Sequence, residues 1–573
     1  MNGPQALLEQ DARFDLRSER LGPLPLVNAF VSRMGLQSLL ERFVPTTDRR
    51  NTVSHAQALG VLLRSIVVER EPIYRQQETV CGFAPGMFGI SADQMESLSD
   101  DRIGRALDRF FDSDRGSFLT QVVVSVGQRF DVQFDRIHND STSIAFCGQY
   151  RDATGREMRG KTAPAIVYGH SKDHRPDLKQ LLFILSVTAD GVPASFRCAN
   201  GNTNDSVTHI QTWNTLRSVA GRADFLYVAD AKLCSYDAMQ HIHRAGGRFV
   251  TVMPRNRQED GQFRKWIQTH APAWELVRDR PNPHGSEGPR DCWSVFQPEV
   301  GSIEGWPITW VWSNLLTLYQ HARRQRNLAA AIQELQDMHE GLIKARARLR
   351  GAKELDDRVH KILERRHMVR YLKVHRVERE EHRYKQTTRG RPGPDTKYRK
   401  VTRKRWDIEW STDQAAITYD ENSDGTFPLL SNDRNLSAAQ ILEAYKGQPT
   451  IEKRFEQIKT VHEIAPVYLK NEGRIEALFT LYFLGLLVQA LIERELRLAM
   501  KRDNIEQLPL YPEQRKCRRP TTEQVLRLFS LAQRHRLVQG GQTLQVFNPE
   551  LTRLQRQVLS LLGVSQSAYR APA

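Results

Sequence analysis

The segment Leu181–Cys198 reads LLFILSVTADGVPASFRC, and it decides the fold class of this chain. Two short apolar runs, residues 181–187 and 192–198, flank the four residues Thr188-Ala189-Asp190-Gly191. An Asp-Gly pair between two such runs is a strong signal for a tight turn joining antiparallel strands. The sequence therefore predicts a β-hairpin at this point.

On both sides of this hairpin the chain alternates between strand and helix patterns. A short strand is predicted at 132–137, before the hairpin. After the hairpin, Asp205 is predicted to cap a helix, and a strand at 225–229, a helix at 235–244 and a strand at 248–253 follow. This order predicts an α/β fold with a mixed sheet and flanking helices.

The regions outside this core carry mainly helical patterns. Residues 20–130 contain the capping residues Ser54 and Ser99, each followed by apolar residues at helical spacing, so an all-helical N-terminal domain is predicted. Helical patterns resume at Ser437 and continue, with breaks, to about residue 562. We therefore expect the C-terminal region to be helical as well.

The long stretch between the two parts of the core has a different character. After Pro254 it holds short strand-like pieces, then a helical hairpin that turns near Gly351, and a strand signal at 415–419. Residues 389–405 contain eight Lys or Arg against one acid, Asp395, and are interrupted by Pro and Gly. We expect this segment to be an exposed, flexible basic arm that contacts DNA without reading its sequence, although a solvated linker has the same composition.

Composition limits the class of protein. The chain has 573 residues, of which 40% are hydrophobic and 26% charged, and this is ordinary globular composition. Lys and Arg number 83 against 67 for Asp and Glu, which gives a net charge of +16. A surface of this charge attracts polyanions, so nucleic acid is the first candidate partner and an acidic membrane surface the second.

The cysteines and the longest apolar run bear on the compartment. The six cysteines lie far apart without a CxxC pair, and no secretory leader is recognisable, so we expect a reduced cytosol. The longest apolar run, Ala477–Ile492, has 16 residues, whereas a membrane-spanning helix needs roughly 20. A buried core helix is therefore predicted, and no membrane partner.

Three carboxylates are placed where chemistry is expected. Asp140 follows the first predicted strand and Asp230 ends the strand at 225–229, so both lie at strand ends, where ligands bind in open α/β sheets. Glu452 begins a predicted helix, and Lys459, seven residues later, would share its face. Each carboxylate also has an ordinary alternative role, as a turn former, a helix cap or a partner of the helix dipole.

Clustered carboxylates repel one another unless a cation neutralises them. Oxygen-only ligands suit Mg²⁺ or Mn²⁺, and two such ions can activate water and stabilise the leaving oxygen of a phosphodiester. The polar run Ser171–Arg175 has two open interpretations, a DNA contact or simple loop filling.

Several ordered motifs together resemble transposases of bacterial insertion sequences, of the DDE group. The motifs are Asn139-Asp140-Ser141-Thr142, YGHSKDHRPD at 168–177, GNTND at 201–205, Val228-Ala229-Asp230 and the stretch 445–459. The stretches LGPLPL at 21–26 and LSDDRIGR at 98–105 resemble the N-terminal domain of the same branch, so the resemblance covers nearly the whole chain.

The resemblance implies an RNase H-like core that a long insertion interrupts before the glutamate. This branch has a Tyr-x2-Arg-x3-Glu-x6-Lys signature, and the same spacing here gives Tyr445, Gln448, Glu452 and Lys459. The one departure is Gln448 in place of Arg, which would replace a phosphate contact with a neutral amide hydrogen bond.

The resemblance also implies an activity and its residues. Asp140, Asp230 and Glu452 would be the catalytic, metal-binding acids, with Mg²⁺ as cofactor and Mn²⁺ as a substitute. The enzyme would bind its element's terminal inverted repeats, cut there and join the 3′ ends to target DNA, as a homodimer on double-stranded DNA in the bacterial cytosol, associated with the nucleoid. The residues expected to contact DNA are Tyr445, Gln448, Lys459, Arg399, Lys400, Arg403, Lys404 and Arg405.

A domain division follows from the same reasoning. We expect a terminal-repeat-binding domain at 1–130, the first part of the core at 131–255, an insertion domain with a helical hairpin and the basic arm at 256–412, the second part of the core at 413–502, and a C-terminal region at 503–573 that is a candidate for dimerisation.

Two other functions share most of these features. Another RNase H-like DNA nuclease, such as a junction resolvase, would have the same acids but little need for a large insertion. A non-catalytic DNA-binding protein derived from a transposase would usually have lost one of the acids. All three acids are present, which favours the enzyme.

Overall fold

The computed structural model describes residues 14–48, 50–282, 285, 288–343 and 351–571. The chain divides into two compact units, the first formed by residues 1–251 and 443–573 and the second by residues 252–442. The predicted insertion, 256–412, lies inside the second unit. Residues 344–350, which precede the predicted hairpin turn at Gly351, lie outside the described residues.

The first unit is built on a mixed sheet with helices around it. Its strands are β2 (Arg136–Phe146), β5 (Lys179–Thr188), β6 (Pro193–Asn200), β7 (Leu226–Ala229) and β8 (Arg248–Val252). They lie in the order β6-β5-β2-β7-β8. The pairs β6-β5 and β5-β2 are antiparallel, whereas β2-β7 and β7-β8 are parallel. A mixed sheet with flanking helices confirms the predicted α/β fold class.

The predicted hairpin is present, and helices connect the parallel strands. Gly191 has φ +83°, a conformation that glycine adopts readily, and it closes the turn between β5 and β6. Helix α8 (His209–Ala220) leads to β7, and α9 (Tyr236–Arg244) leads to β8, as predicted. The two-residue strands β3 (Glu157–Met158) and β4 (Lys161–Thr162) form a separate small ribbon.

The strand predicted at 132–137 is wrong in position. Strand β2 begins at Arg136 and continues to Phe146, so Asp140 lies within the strand rather than after it. Residues Asn139–Ser143 are polar and show no apolar alternation, so the sequence pattern does not predict this part of the strand. They form a strand because they pair along their length with Leu182–Ser186 of the apolar hairpin.

The N-terminal region is mainly helical. Ser54 caps α3 through the expected capping box with Gln57, and Ser99 caps α6. The helices are α1 (Leu24–Met34), α2 (Leu36–Phe43), α3 (His55–Val68), α4 (Gln76–Cys81), α5 (Ala92–Glu96), α6 (Asp100–Asp112) and α7 (Arg115–Phe130).

The N-terminal and C-terminal regions are not purely helical, which corrects both predictions. Strand β1 (Phe14–Arg20) pairs with β15 (Gln533–Gln539), which pairs with β16 (Gln542–Phe547). Strand β1 is rich in charged residues and, like β16, largely exposed, and β1 has little apolar periodicity in its sequence. Pairing between segments more than 500 residues apart holds them in place.

The longest helix of the first unit crosses its core. Helix α16 (Glu472–Arg502) packs against α3 and α6, and its Phe479 and Phe483 contact Phe183 and Phe196 of the sheet, at ring distances of 6.1 and 5.8 Å. It is the one described helix long and apolar enough to cross a membrane, but 89% of that apolar window is buried. The prediction of a buried core helix is confirmed.

The other elements of the C-terminal part are shorter. They are α14 (Ala438–Tyr445), α15 (Pro449–Glu456), a π-helical turn (Gln457–Val461), α17 (Thr522–Leu528) and α18 (Arg553–Leu561).

The second unit contains four antiparallel strands and a hydrophobic core of its own. Strands β9 (Glu275–Arg280), β10 (Asp291–Phe296), β11 (Ile308–Ser313) and β14 (Thr426–Ser431) pair antiparallel in the order β14-β11-β10-β9, beside α10 (Gln258–Trp266). Helices α11 (Asn314–Ile343) and α12 (Ala352–Arg366) pack together through buried residues that include Leu335 and Leu355.

Two predictions in the second unit are corrected. Residues 414–421 form helix α13 (Gln414–Glu421) instead of a strand, because the side chain of Asp413 accepts a hydrogen bond from the N–H of Ala416 and caps the helix. Part of the basic arm is not a flexible loop. Strands β12 (Leu372–Gln386) and β13 (Tyr398–Thr412) form a long ribbon, and residues 398–405 lie on β13.

Candidate active site

Asp140 and Asp230 lie side by side where the parallel pairing of strands β2 and β7 ends. The parallel register of β2 and β7 ends at the pair Asn139 and Ala229, so the next residue on each chain segment is one of the two acids. Neighbouring strands are about 4.8 Å apart. The fold thus brings together two carboxylates that are 90 positions apart in the sequence.

The two carboxyl groups share an unfavourable electrostatic environment. Burial raises the pKa of Asp140 above its usual value; the ammonium of Lys172 opposes this shift and the charge of Asp230 adds to it. Burial likewise raises the pKa of Asp230, against the opposing effects of the Lys232 N–H and of Lys172. Both acids therefore favour a cation close to them.

Lys172 supplies that positive charge. Its Nζ lies 3.3 Å from Asp140 Oδ1 and 3.3 Å from Asp205 Oδ2, and it donates hydrogen bonds to the carbonyl oxygen and to Oγ of Ser141 at 2.6 and 2.8 Å. The two sequence interpretations of the run 171–175, a DNA contact or a loop filler, both missed this role. The run belongs to one of the motifs of the sequence, but no local pattern in it predicts which acids Lys172 contacts.

Asp205 is a fourth acid of the site that sequence reasoning missed. It was expected to cap a helix, but the cap is Asn204, whose side chain accepts a hydrogen bond from the N–H of Ser206. The Asp205 carboxylate instead accepts a hydrogen bond of 2.9 Å from Ser141 Oγ and pairs with Lys172. It therefore belongs to the polar cluster around Asp140.

Asp230 also caps a short turn, which is one of the ordinary structural roles considered for it. Its Oδ1 accepts a hydrogen bond of 3.0 Å from the N–H of Lys232 and caps a short 3₁₀ turn, while its carbonyl oxygen accepts one of 2.6 Å from Thr251 Oγ1. These bonds fix the backbone and the carboxylate of Asp230 at the carboxyl end of strand β7.

Glu452 lies in the first turn of α15, and its side chain is exposed. Burial raises the pKa of the Tyr445 phenol, and the charges of Asp230 and Glu452 raise it further. In the described part of the chain, however, no three His, Cys, Asp or Glu side chains converge closely enough to hold a metal ion.

Gln448 anchors the start of α15 to strand β2. Its Oε1 lies 2.9 Å from His138 Nδ1, and its Nε2 donates a hydrogen bond of 3.4 Å to the carbonyl oxygen of Asn139. At Gly447 a Cβ would come within 2.6 Å of the His138 ring, so only glycine allows this close approach. The residue expected to contact DNA thus ties the glutamate helix to the strand of Asp140.

Lys459 lies on the π-helical turn that follows α15. The wider π geometry means that seven residues no longer equal two α-helical turns, so the predicted shared face with Glu452 does not follow from spacing. Lys459 Nζ pairs instead with Asp173 Oδ1 at 2.5 Å. This contact places Lys459 against the loop that carries Lys172.

The basic residues of the arm belong to the second unit. Lys404 pairs with Glu378 at 2.6 Å and Arg405 with Glu381 at 2.7 Å across the ribbon. The exposed members of the set are Arg399, Lys400, Arg403 and Lys404.

Comparison with known proteins gives one match. Residues 16–124 match the family model of a domain of unknown function, DUF4277. This stretch covers the N-terminal helices and ends before the first acid of the site. No curated protein matches the chain.

Proposed function

We propose that the protein is a DDE transposase of a bacterial insertion sequence, a metal-dependent DNA nuclease and strand transferase. The observation that carries the proposal is the placement of Asp140 and Asp230 side by side where the parallel pairing of strands β2 and β7 ends. The matched N-terminal family is commonly found in transposase-like proteins, which supports the same function.

The charge of the chain supports DNA as the substrate. A net charge of +16 favours binding to phosphate backbones. In this proposal the N-terminal region, residues 1–130, binds the terminal inverted repeats, and the exposed cations of the β13 ribbon strand contact target DNA. Two element ends must be held together, so the protein acts as a homodimer on double-stranded DNA, in the bacterial cytosol at the nucleoid.

Two of the three predicted acids, Asp140 and Asp230, offer side by side the oxygen donors that a hard divalent cation prefers. The donors around Asp140 are all oxygens, and a positively charged group, the Lys172 ammonium, already lies among them. Asp140, Asp230 and Glu452 would hold Mg²⁺, or Mn²⁺ in its place. Bound there, the ions would activate the attacking water or 3′ hydroxyl and stabilise the leaving oxygen.

The side chains beside the acids have roles of their own. The raised pKa of Tyr445 keeps its phenol protonated at neutral pH, so it can donate a hydrogen bond to the strand end. Lys459 can exchange Asp173 for a DNA phosphate, since an exposed ion pair is weak. Gln448 positions the glutamate helix rather than reacting itself.

The proposal is tested with amide variants of the acids. Asp140→Asn, Asp230→Asn and Glu452→Gln should each abolish Mg²⁺-dependent cleavage of a duplex that carries the element's end, while gel-shift affinity stays nearly intact, because amides keep the shape but are poor ligands for hard cations. Glu456→Gln, one turn further along the same helix and also exposed, is the matched control and should cleave nearly normally.

The products separate the competing functions. Joining of the cut ends to target DNA supports a transposase, and cleavage without joining supports another RNase H-like nuclease. DNA binding without cleavage in the unaltered protein would support a non-catalytic binding protein. Full cleavage by any one acid variant would remove that residue from the site.

A further inference from the structure

Lys172 has the surroundings of a bound cation rather than of a surface lysine. Its Nζ lies within 3.3 Å of four oxygens, from the Asp140 and Asp205 carboxylates and from the carbonyl and hydroxyl of Ser141. Its side chain is 30% exposed. The ammonium therefore lies inside the acid cluster.

The cluster needs this charge when no metal is present. The Asp140 and Asp205 carboxylates both lie 3.3 Å from the same ammonium, so their negative charges are close together and repel one another without a cation. Lys172 is the cation that the tertiary structure places nearest to Asp140 and Asp205 among the described residues.

We propose that Lys172 is a resident counter-cation, which occupies the place of a divalent ion beside Asp140 in the metal-free protein and withdraws when the ion binds. This inference rests on the proposed function, since it concerns the same metal site.

The side chain can withdraw without unfolding its loop. The backbone N–H of Lys172 donates a hydrogen bond of 3.0 Å to Ser143 Oγ, which anchors the loop independently of the ammonium. The lysine stem is flexible, and Asp205 remains as a partner after Asp140 is released. In this movement Asp140 exchanges the ammonium for a divalent ion, and the ammonium keeps Asp205 as its partner.

The consequence is a lower apparent metal affinity. If the withdrawn state is populated at about one part in ten, the apparent affinity falls by the same factor, about tenfold. Lys172 would thus raise the concentration of Mg²⁺ at which the site fills.

The test measures Mn²⁺ binding to the full-length, metal-free protein without DNA, by the loss of the free-ion electron paramagnetic resonance signal. Lys172→Met should bind Mn²⁺ about tenfold more tightly than the unaltered protein. Lys232→Met is the matched control, because Lys232 is an exposed lysine whose charge also acts on Asp230 but which has no described contact with Asp140. It should change the affinity less than about twofold, as expected for a screened charge.

Two outcomes would overturn the inference. Unchanged affinity in Lys172→Met would show that the ammonium does not compete with the ion. Equal tightening in Lys232→Met would show an effect of net charge only.

A third variant separates this inference from the proposed function. If Asp140→Asn binds Mn²⁺ as well as the unaltered protein, there is no metal site at Asp140 and the proposed function fails. If Asp140→Asn weakens binding but Lys172→Met does not strengthen it, only the role of Lys172 fails.

Thermal unfolding covers the case in which Lys172→Met folds poorly. In a chelator, Lys172→Met and the milder Lys172→Gln should unfold at lower temperature than the unaltered protein, and saturating Mg²⁺ should raise their midpoints by more than it raises the unaltered one, because the ion replaces the lost charge. An equal Mg²⁺ shift in all three proteins would contradict the inference.

Discussion

Replacing Arg454 with methionine should destabilise the helix that carries Glu452, because Arg454 forms a buried ion pair there. Arg454 and Glu493 are 2% and 1% exposed, and Arg454 Nη1 lies 3.0 Å from Glu493 Oε2. Arg454 Nε also donates a hydrogen bond of 2.8 Å to the carbonyl oxygen of Gly191, in the hairpin turn. One side chain therefore joins α15, α16 and the hairpin.

The size of the effect follows from what remains buried. Removing one partner of a buried ion pair typically costs about 3 to 5 kcal/mol, since the other charge is left uncompensated. Here Arg497 and Lys453 stay at 3.4 and 3.9 Å from Glu493 and keep part of the compensation. We therefore expect a loss at the lower end, about 3 kcal/mol.

The assay is a double-mutant cycle in which denaturant unfolding of each variant is measured. A chain with two units need not unfold in one step, so hydrogen exchange of α15 and of the hairpin turn provides the local measurement. Arg454→Met/Glu493→Met should recover much of the loss, because no buried charge is left. Arg502→Met is the control: its pair with Asp503 is exposed and screened by solvent, so its loss should leave the unfolding midpoint nearly unchanged. A loss below about 1 kcal/mol in Arg454→Met, or a double variant less stable than Arg454→Met, would refute the reasoning.

Three further predictions follow from the remaining charges. Burial lowers the pKa of four histidines, His55, His138, His209 and His462, to about 4. The unfolded chain therefore binds more protons than the folded chain between pH 6.5 and 4, and the stability that is present above pH 6.5 is lost as the pH falls through this range. Denaturant midpoints at pH 7 and 5 measure this loss, and equal midpoints would contradict the prediction. Lys459→Ala should weaken binding to cleaved ends and reduce the salt slope of binding by about one unit, and an unchanged slope would leave Lys459 as a partner of Asp173 only. The basic residues of the arm that lie on β13 are Arg399, Lys400, Arg403, Lys404 and Arg405. Replacing all five with Ser should weaken binding to random duplex or strand transfer more than it weakens binding to the terminal repeat. If gel shifts and joining assays at physiological salt show no change, the segment is only a structural ribbon.

The sequence by itself determined the elements whose signals are local. Asp190-Gly191 marked the hairpin because the turn needs a positive φ, and the capping box at Ser54 marked the start of α3 because it satisfies that helix's own N–H groups. The apolar run within α16 is also a local signal: it predicted a buried helix because a continuous apolar surface is buried whatever its partner. The positions of Asp140, Asp230 and Glu452 as candidates were also readable, from strand ends and motif spacing.

Only the tertiary structure decided which partners these elements have. The polar strand from Asn139 to Ser143 and the charged strand β1 carry no periodicity of their own, and pairing with distant segments makes them strands. Lys172 and Asp205 joined the site in the same way. Lys172 lies in a loop and Asp205 begins a short 3₁₀ turn, and both are more than 30 residues from Asp140 in the sequence. The interaction of their charges depends on distance in space, which no local pattern in the sequence encodes.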